Sequence, residues 1–130
     1  MRILIAEDDQ VLADGLLRSL RNAGYAVDQV SSGSEADAAL ADHEFDLVIL
    51  DLGLPKVHGL EVLRRIKADD FARKIPVVVL TVSQRDDYIR EALRLGAQSY
   101  IVKPVGFQNF SESASKLSFR WAMLNPAEGI

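Results

Sequence analysis

Glu7, Asp8 and Asp9 follow directly on the apolar run "ILIA" (Ile3 to Ala6), and Asp51 follows directly on "LVIL" (Leu47 to Leu50). Two further apolar runs end on groups with chemistry to offer, "VVVL" (Val77 to Leu80) on Thr81 and "YIV" (Tyr100 to Val102) on Lys103. Carboxylates crowded into one place repel, and keeping them ionised together calls for a countercharge. A hard divalent cation supplies it. Mg²⁺ takes oxygen ligands, typically one or two carboxylates completed by waters and phosphate oxygens. An ionised Asp51 beside such a cation can attack a phosphoryl group and form an acyl phosphate. Lys103 then offers a positive charge to the transferred oxygens and Thr81 a hydrogen-bond donor. A carboxylate nucleophile is already deprotonated at neutral pH and needs no general base.

Each of these residues has an ordinary reading when taken alone. Asp9 suits the N-cap of a following helix, and Asp51 before Gly53 suits a turn. Thr81 is a common strand residue and Lys103 a common surface one. Packing a sheet does not require all of them at the ends of successive apolar runs, and that coincidence favours a shared site.

The elements that must position them form an α/β pattern. Five short runs, the four already named and "AVDQV" (Ala26 to Val30), alternate with segments of helical spacing. Four of the five are nearly continuous in apolar residues, as parallel strands covered on both faces are. Leu12, Leu16, Leu20 and Ala23 mark the first helix, which Gly24 stops. Ala36, Ala39 and Leu40 mark the second, and Leu60, Leu63 and Ile66 the third. Ile89, Ala92, Leu93 and Leu95 mark the fourth, closed by Gly96. Five strand-then-helix repeats predict a doubly wound α/β domain. In such open parallel sheets ligands bind outside the carboxyl ends of the strands, where the polar residues gather here.

Phe107, Phe110, Ala114, Leu117, Trp121 and Leu124 are spaced 3, 4, 3, 4 and 3 apart. One helix carrying this stripe would bury both Phe rings and Trp121 on a single face. Docking on the sheet is its simplest use. Phe119, Ala122 and Met123 add apolar surface off the stripe, which suits a partner interface or a homodimer through this last helix.

The 130 residues fit one domain, with 48% hydrophobic and 26% charged residues. Fifteen basic residues against 19 acidic ones give a net charge of −4, and no dense cluster of Lys and Arg suggests direct nucleic-acid binding. The absence of Cys excludes disulfides, thiolate metal sites and cysteine nucleophiles. No apolar run approaches a membrane span, so a cytoplasmic location is expected. His43 and His58 lie in loop-like stretches and read as surface histidines.

Four ordered stretches, "ILIAEDD", "DLVILDLGLPKVHG", "PVVVLT" and "GAQSYIVKP", resemble the receiver domain of two-component response regulators over essentially the whole chain. The spacings are similar too: 43 residues from Asp8 to Asp51, 30 on to Thr81 and 22 on to Lys103. The resemblance implies a five-stranded parallel sheet in the flavodoxin-like order 2-1-3-4-5. It implies that Asp51 is the phosphoacceptor. Asp8 would ligate Mg²⁺ (or Mn²⁺) directly, Glu7 through water, and the Gly53 carbonyl would complete the protein ligands. Thr81 would move towards the phosphoryl group, Lys103 would pair with it, and Tyr100 would act as an aromatic switch. The Lys103–Pro104 peptide would be cis. Implied partners are a sensor histidine kinase as phosphodonor and a downstream protein reading the fourth helix, fifth strand and fifth helix.

The halves resemble different branches. The first half and "DLVILDLGLP" are similar to transcriptional response regulators, whereas "GAQSYIVKPVGFQNF" and "FRWAMLNP" resemble single-domain regulators of phytochrome-type kinases. A single receiver domain over 1–130, without an effector domain, is therefore expected. Val82 is bulkier than many family members carry after the threonine, and Gly53 offers no side chain to steer or block water. An aspartyl-phosphate phosphatase would want a second acid two residues after the nucleophile, where Gly53 stands. A phosphorylation-independent adaptor, binding its partner through the Phe119 and Met123 surface, is the other alternative.

Overall fold

The computed structural model describes residues 1–55, 57–81 and 86–102. In chain order these form β1 (Arg2–Ala6), α1 (Gln10–Asn22), β2 (Ala26–Val30), α2 (Gly33–Asp42), β3 (Leu47–Asp51), α3 (Gly59–Ala68), a 3-10 turn (Ala72–Lys74), β4 (Val77–Thr81), α4 (Asp86–Arg94) and β5 (Ser99–Val102). The strands pair in parallel in the order β2-β1-β3-β4-β5, as expected. Lys103, Val82 and the stripe from Phe107 to Leu124 lie outside the described residues, and so does the expected cis peptide. Among the described residues no helix is long and apolar enough to cross a membrane.

Strand pleating sends alternate side chains to opposite faces, and the core divides accordingly. Ile3, Ile5, Leu47, Ile49, Val78 and Leu80 meet Leu12, Leu16 and Leu20 of α1. Leu4, Ala6, Val48, Leu50, Val77 and Val79 pack on the other face with Ala36 of α2, Val62, Leu63 and Ile66 of α3, and Ala92 of α4. Full burial of one Val, Leu or Ile side chain is worth about 1.5–3 kcal/mol. The central strands are therefore anchored from both sides.

The helix boundaries have local causes. Asp9 caps α1, its side chain accepting from Val11 N and Leu12 N, and Ser32 caps α2 by accepting from Glu35 N. His58, expected in a loop, caps α3 with Nδ1 accepting from Leu60 N at 3.3 Å. Gly24 follows the α1 C-cap, Ala23, at φ +97°, a left-handed conformation that glycine adopts without strain.

Two expectations shift in detail. Asp51 and Thr81 are the last residues of β3 and β4, not the first residues after them. Pairing runs that far because Leu52 N still donates to Leu80 O at 2.9 Å. On α4, Ala92 is fully buried as expected, whereas Leu93 is exposed and lies off the covered face. At the start of β5, Ser99 is buried and its hydroxyl makes no hydrogen bond among the described residues.

Candidate functional site

β1 and β3 are neighbours in the sheet, with Ala6 opposite Leu50. Their next residues, Glu7 and Asp51, therefore emerge side by side at the carboxyl edge, although 44 positions separate them in sequence. Glu7 is wholly buried and Asp51 nearly so, while the adjoining Asp8 is exposed. One oxygen from each of the three carboxylates lies within 4.8 Å of the others. Three acids at that separation form an all-oxygen donor set of the kind a hard divalent cation prefers, and a cation offsets the repulsion that burial would otherwise magnify. By donor chemistry and spacing, the residues fit a Mg²⁺ or Mn²⁺ ion.

Backbone contacts aim these side chains. Asp9 N–H donates to Glu7 Oε2 at 3.1 Å, which turns the Glu7 carboxylate toward the start of α1. Gly53 N–H donates to Asp51 Oδ1 at 3.0 Å. The loop after β3 thus folds back over its own acid, the turn that Asp51 and Gly53 suggest in sequence.

Thr81 is buried at the end of β4, one residue beyond Leu80, which lies opposite Asp51. It therefore stands on the strand next to the acid and at the same edge. Gly53 is exposed in the loop that follows Asp51. Tyr100 lies on β5 opposite Val79 and is 43% exposed, so its ring is on the outer side of the strand. The structure brings Glu7, Asp8, Asp51, Gly53 and Thr81 to one edge, with Tyr100 farther out on β5.

Two positions that sequence reasoning left without a role shape the site. A Cβ on Gly59 would lie 2.3 Å from Asp51 O and 2.5 Å from Leu52 Cα, so only glycine lets α3 start against the Asp51–Leu52 peptide. Gly59 closes the stretch "DLGLPKVHG", where a glycine ahead of a helical pattern is the available signal. Gln29 is the second. Its side-chain amide donates to Glu7 O at 3.0 Å, and its signal is a polar residue near the end of the one strand run that is not continuously apolar.

Comparison with known proteins fits this geometry. The family model described as the response regulator receiver domain matches residues 3–115. The transcriptional regulatory protein PmrA of Pectobacterium parmentieri is 41% identical over 104 residues, 80% of this chain and 46% of PmrA. The chain spans about half the length of curated relatives such as this one. The phosphorylated cyanobacterial phytochrome response regulator RcpA superposes with a TM-score of 0.87 at 32% identity, covering 92% of each chain. The Mn²⁺-bound form of response regulator Rcp1 superposes at 0.85 and 27% identity, covering 92% of this chain and 93% of Rcp1.

Proposed function

This chain belongs to the response regulator receiver-domain family, and from that premise we propose that it is a phosphorylation-driven switch with Asp51 as the phosphoacceptor. The convergence of Glu7, Asp8 and Asp51 within 4.8 Å carries the reading. Asp8 and Asp51 would hold Mg²⁺ through carboxylate oxygens, Glu7 through water and Gly53 through its carbonyl. When bound there, the cation would supply positive charge to the phosphoryl oxygens.

The chain's own residues do the rest. Asp51, held by Gly53 N–H, attacks phosphorus with one carboxylate oxygen. A P–O bond forms, and the bond from phosphorus to the donor breaks. The donor's imidazole, or acetate in the case of acetyl phosphate, leaves with the electron pair. Thr81, on the adjoining strand end, donates to a phosphoryl oxygen, and Lys103 supplies a countercharge to another. The new group adds nearly two negative charges and strong acceptor oxygens at the sheet edge. That draws Thr81 inward and biases α4 and β5, including Tyr100, toward a second arrangement. The domain passes on this change rather than turning over a substrate.

The phosphodonor is a sensor histidine kinase, and the likeness to RcpA favours one of the phytochrome type. The switch works in the cytoplasm and hands its change to a protein target.

Intact mass after incubation with acetyl phosphate and Mg²⁺ tests the proposal. Wild type should gain one phosphoryl group, the gain should vanish with chelator, and Asp51→Asn should gain none. Equal labelling of Asp51→Asn would remove Asp51 from its role. If neither protein is labelled by acetyl phosphate or by a histidine kinase, the phosphorylation-independent adaptor takes its place.

A further inference from the structure

The Glu7–Asp8 wall of the acidic corner is gripped by β2 from two directions. Glu7 N–H donates to Val30 O at 3.0 Å. From the same strand the Gln29 amide nitrogen donates to Glu7 O at 3.0 Å, and it also lies 2.9 Å from Val30 O and 3.1 Å from Ser31 Oγ. Both peptide groups of Glu7 are thereby fixed, the one before it through its N–H and the one after it through its oxygen.

The second of these matters most for the site. Glu7 O belongs to the peptide that joins Glu7 to Asp8, and a peptide unit is planar, so holding its oxygen sets the plane from which Asp8 departs. Asp8 is exposed, whereas Glu7 and Asp51 are buried. The start of the Asp8 side chain follows from that plane. A side-chain amide is well suited to this task because it donates without bringing a charge near the carboxylates.

The next residues brace the opposite wall. Gly33 N–H donates to Pro55 O at 3.1 Å, and a Cβ on Gly33 would fall 2.0 Å from Val57 O. The loop that carries Gly53 and holds Asp51 therefore rests on the start of α2. A single segment, from Gln29 to Gly33, touches both loops that supply the acids.

We infer that Gln29 is a positioning residue for the divalent cation, fixing the Glu7–Asp8 peptide so that Asp8 meets Asp51 at ligand distance. The inference rests on the reading of this corner as a cation site. Groups that orient ligands from behind affect metal affinity by about 10- to 100-fold, and an indirect hold through the backbone belongs at the lower end.

Gln29→Met keeps the length and most of the volume of the side chain but removes the donor. Arg21→Met is the matched control, because Arg21 Nη2 also donates to a β2 carbonyl, Val27 O at 3.1 Å, away from the acids. The dissociation constants of MgCl2 and of MnCl2, measured by titration calorimetry, are compared with melting temperatures in EDTA. Gln29→Met should bind both cations about tenfold more weakly, and Arg21→Met should bind like wild type whatever its melting temperature. Affinity within twofold of wild type for Gln29→Met would overturn the inference and leave the cation site standing. Equal weakening in Arg21→Met would reduce the effect to general loosening of β2 and overturn it too. Absence of binding by wild type would bring down the cation reading itself.

Discussion

The two ends of the sheet treat charge in opposite ways. At the amino end, charges meet opposite charges or backbone dipoles. The Arg2 guanidinium pairs with Asp28 and lies 5.2 Å from the centre of the Phe45 ring, while Arg2 N–H donates to Asp46 at 2.7 Å. Lys67 Nζ donates to Arg73 O and Ile75 O, and Asp69 accepts from Phe71 N and Ala72 N. At the carboxyl end three carboxylates converge on one another, two of them buried. The same strands run through both ends, so the fold does not impose the crowding. One end pairs its charges with opposite ones or with backbone dipoles, whereas the other gathers like charges at a single corner.

The largest effect should come from the backbone fit that makes the crowded end possible. Gly59→Ala forces α3 away from the Asp51–Leu52 peptide, and overpacking against backbone costs about 3 kcal/mol. Urea denaturation should show that loss, and a value within 0.5 kcal/mol of wild type, about the size of an ordinary surface substitution, would mean that the close approach is not needed.

A pair of substitutions sharpens the contrast in sign. Arg2→Ala at the amino end should lower stability by about 1 kcal/mol, through a partly exposed ion pair and a cation–π contact. Asp8→Asn at the carboxyl end should raise stability in EDTA by about 1 kcal/mol, since it removes one of three like charges. If both changes destabilise the protein, the two ends are not electrostatic opposites.

The smallest effect concerns acid. The Ala72 and then the Phe71 N–H hold the Asp69 carboxylate below its ordinary value of 3.8. A carboxylate depressed on folding adds stability above its unfolded value, and that contribution fades as pH falls through the depressed one. Asp69→Asn should therefore lower stability slightly at pH 7 and converge on wild type as pH falls below about 4, which flattens the acid limb of the stability curve. An unchanged acid limb would show that Asp69 is only a cap.

Much of this architecture is legible in the residues. The runs "ILIA", "LVIL" and "VVVL" give away parallel strands because both faces of the sheet are covered, and the acids stand out because nothing in such a strand calls for them. Asp9 reads correctly as a cap. What the pattern conceals depends on contacts between distant segments. Nothing local marks Gly59 as touching Asp51 O, or Gln29 as reaching across to Glu7 O. The exact strand ends are hidden for the same reason, since Asp51 and Thr81 remain in their strands through pairing with β4 and β5. Leu93 misleads because a helical stripe alone does not say where the covered face stops.

The buried hydroxyl of Ser99 bears on how the domain moves. β5 is four residues long and lies at the end of the strand order, against β4. Leaving a buried polar group without a partner costs about 1–3 kcal/mol, and that cost disappears when the strand opens to water. β5 therefore opens at lower cost than the central strands, and its amides should exchange hydrogen before those of β1 and β3. Thr81 lies opposite Val102 on that strand. The strand end that carries Thr81 is thus paired to a strand that opens at lower cost than the centre of the sheet.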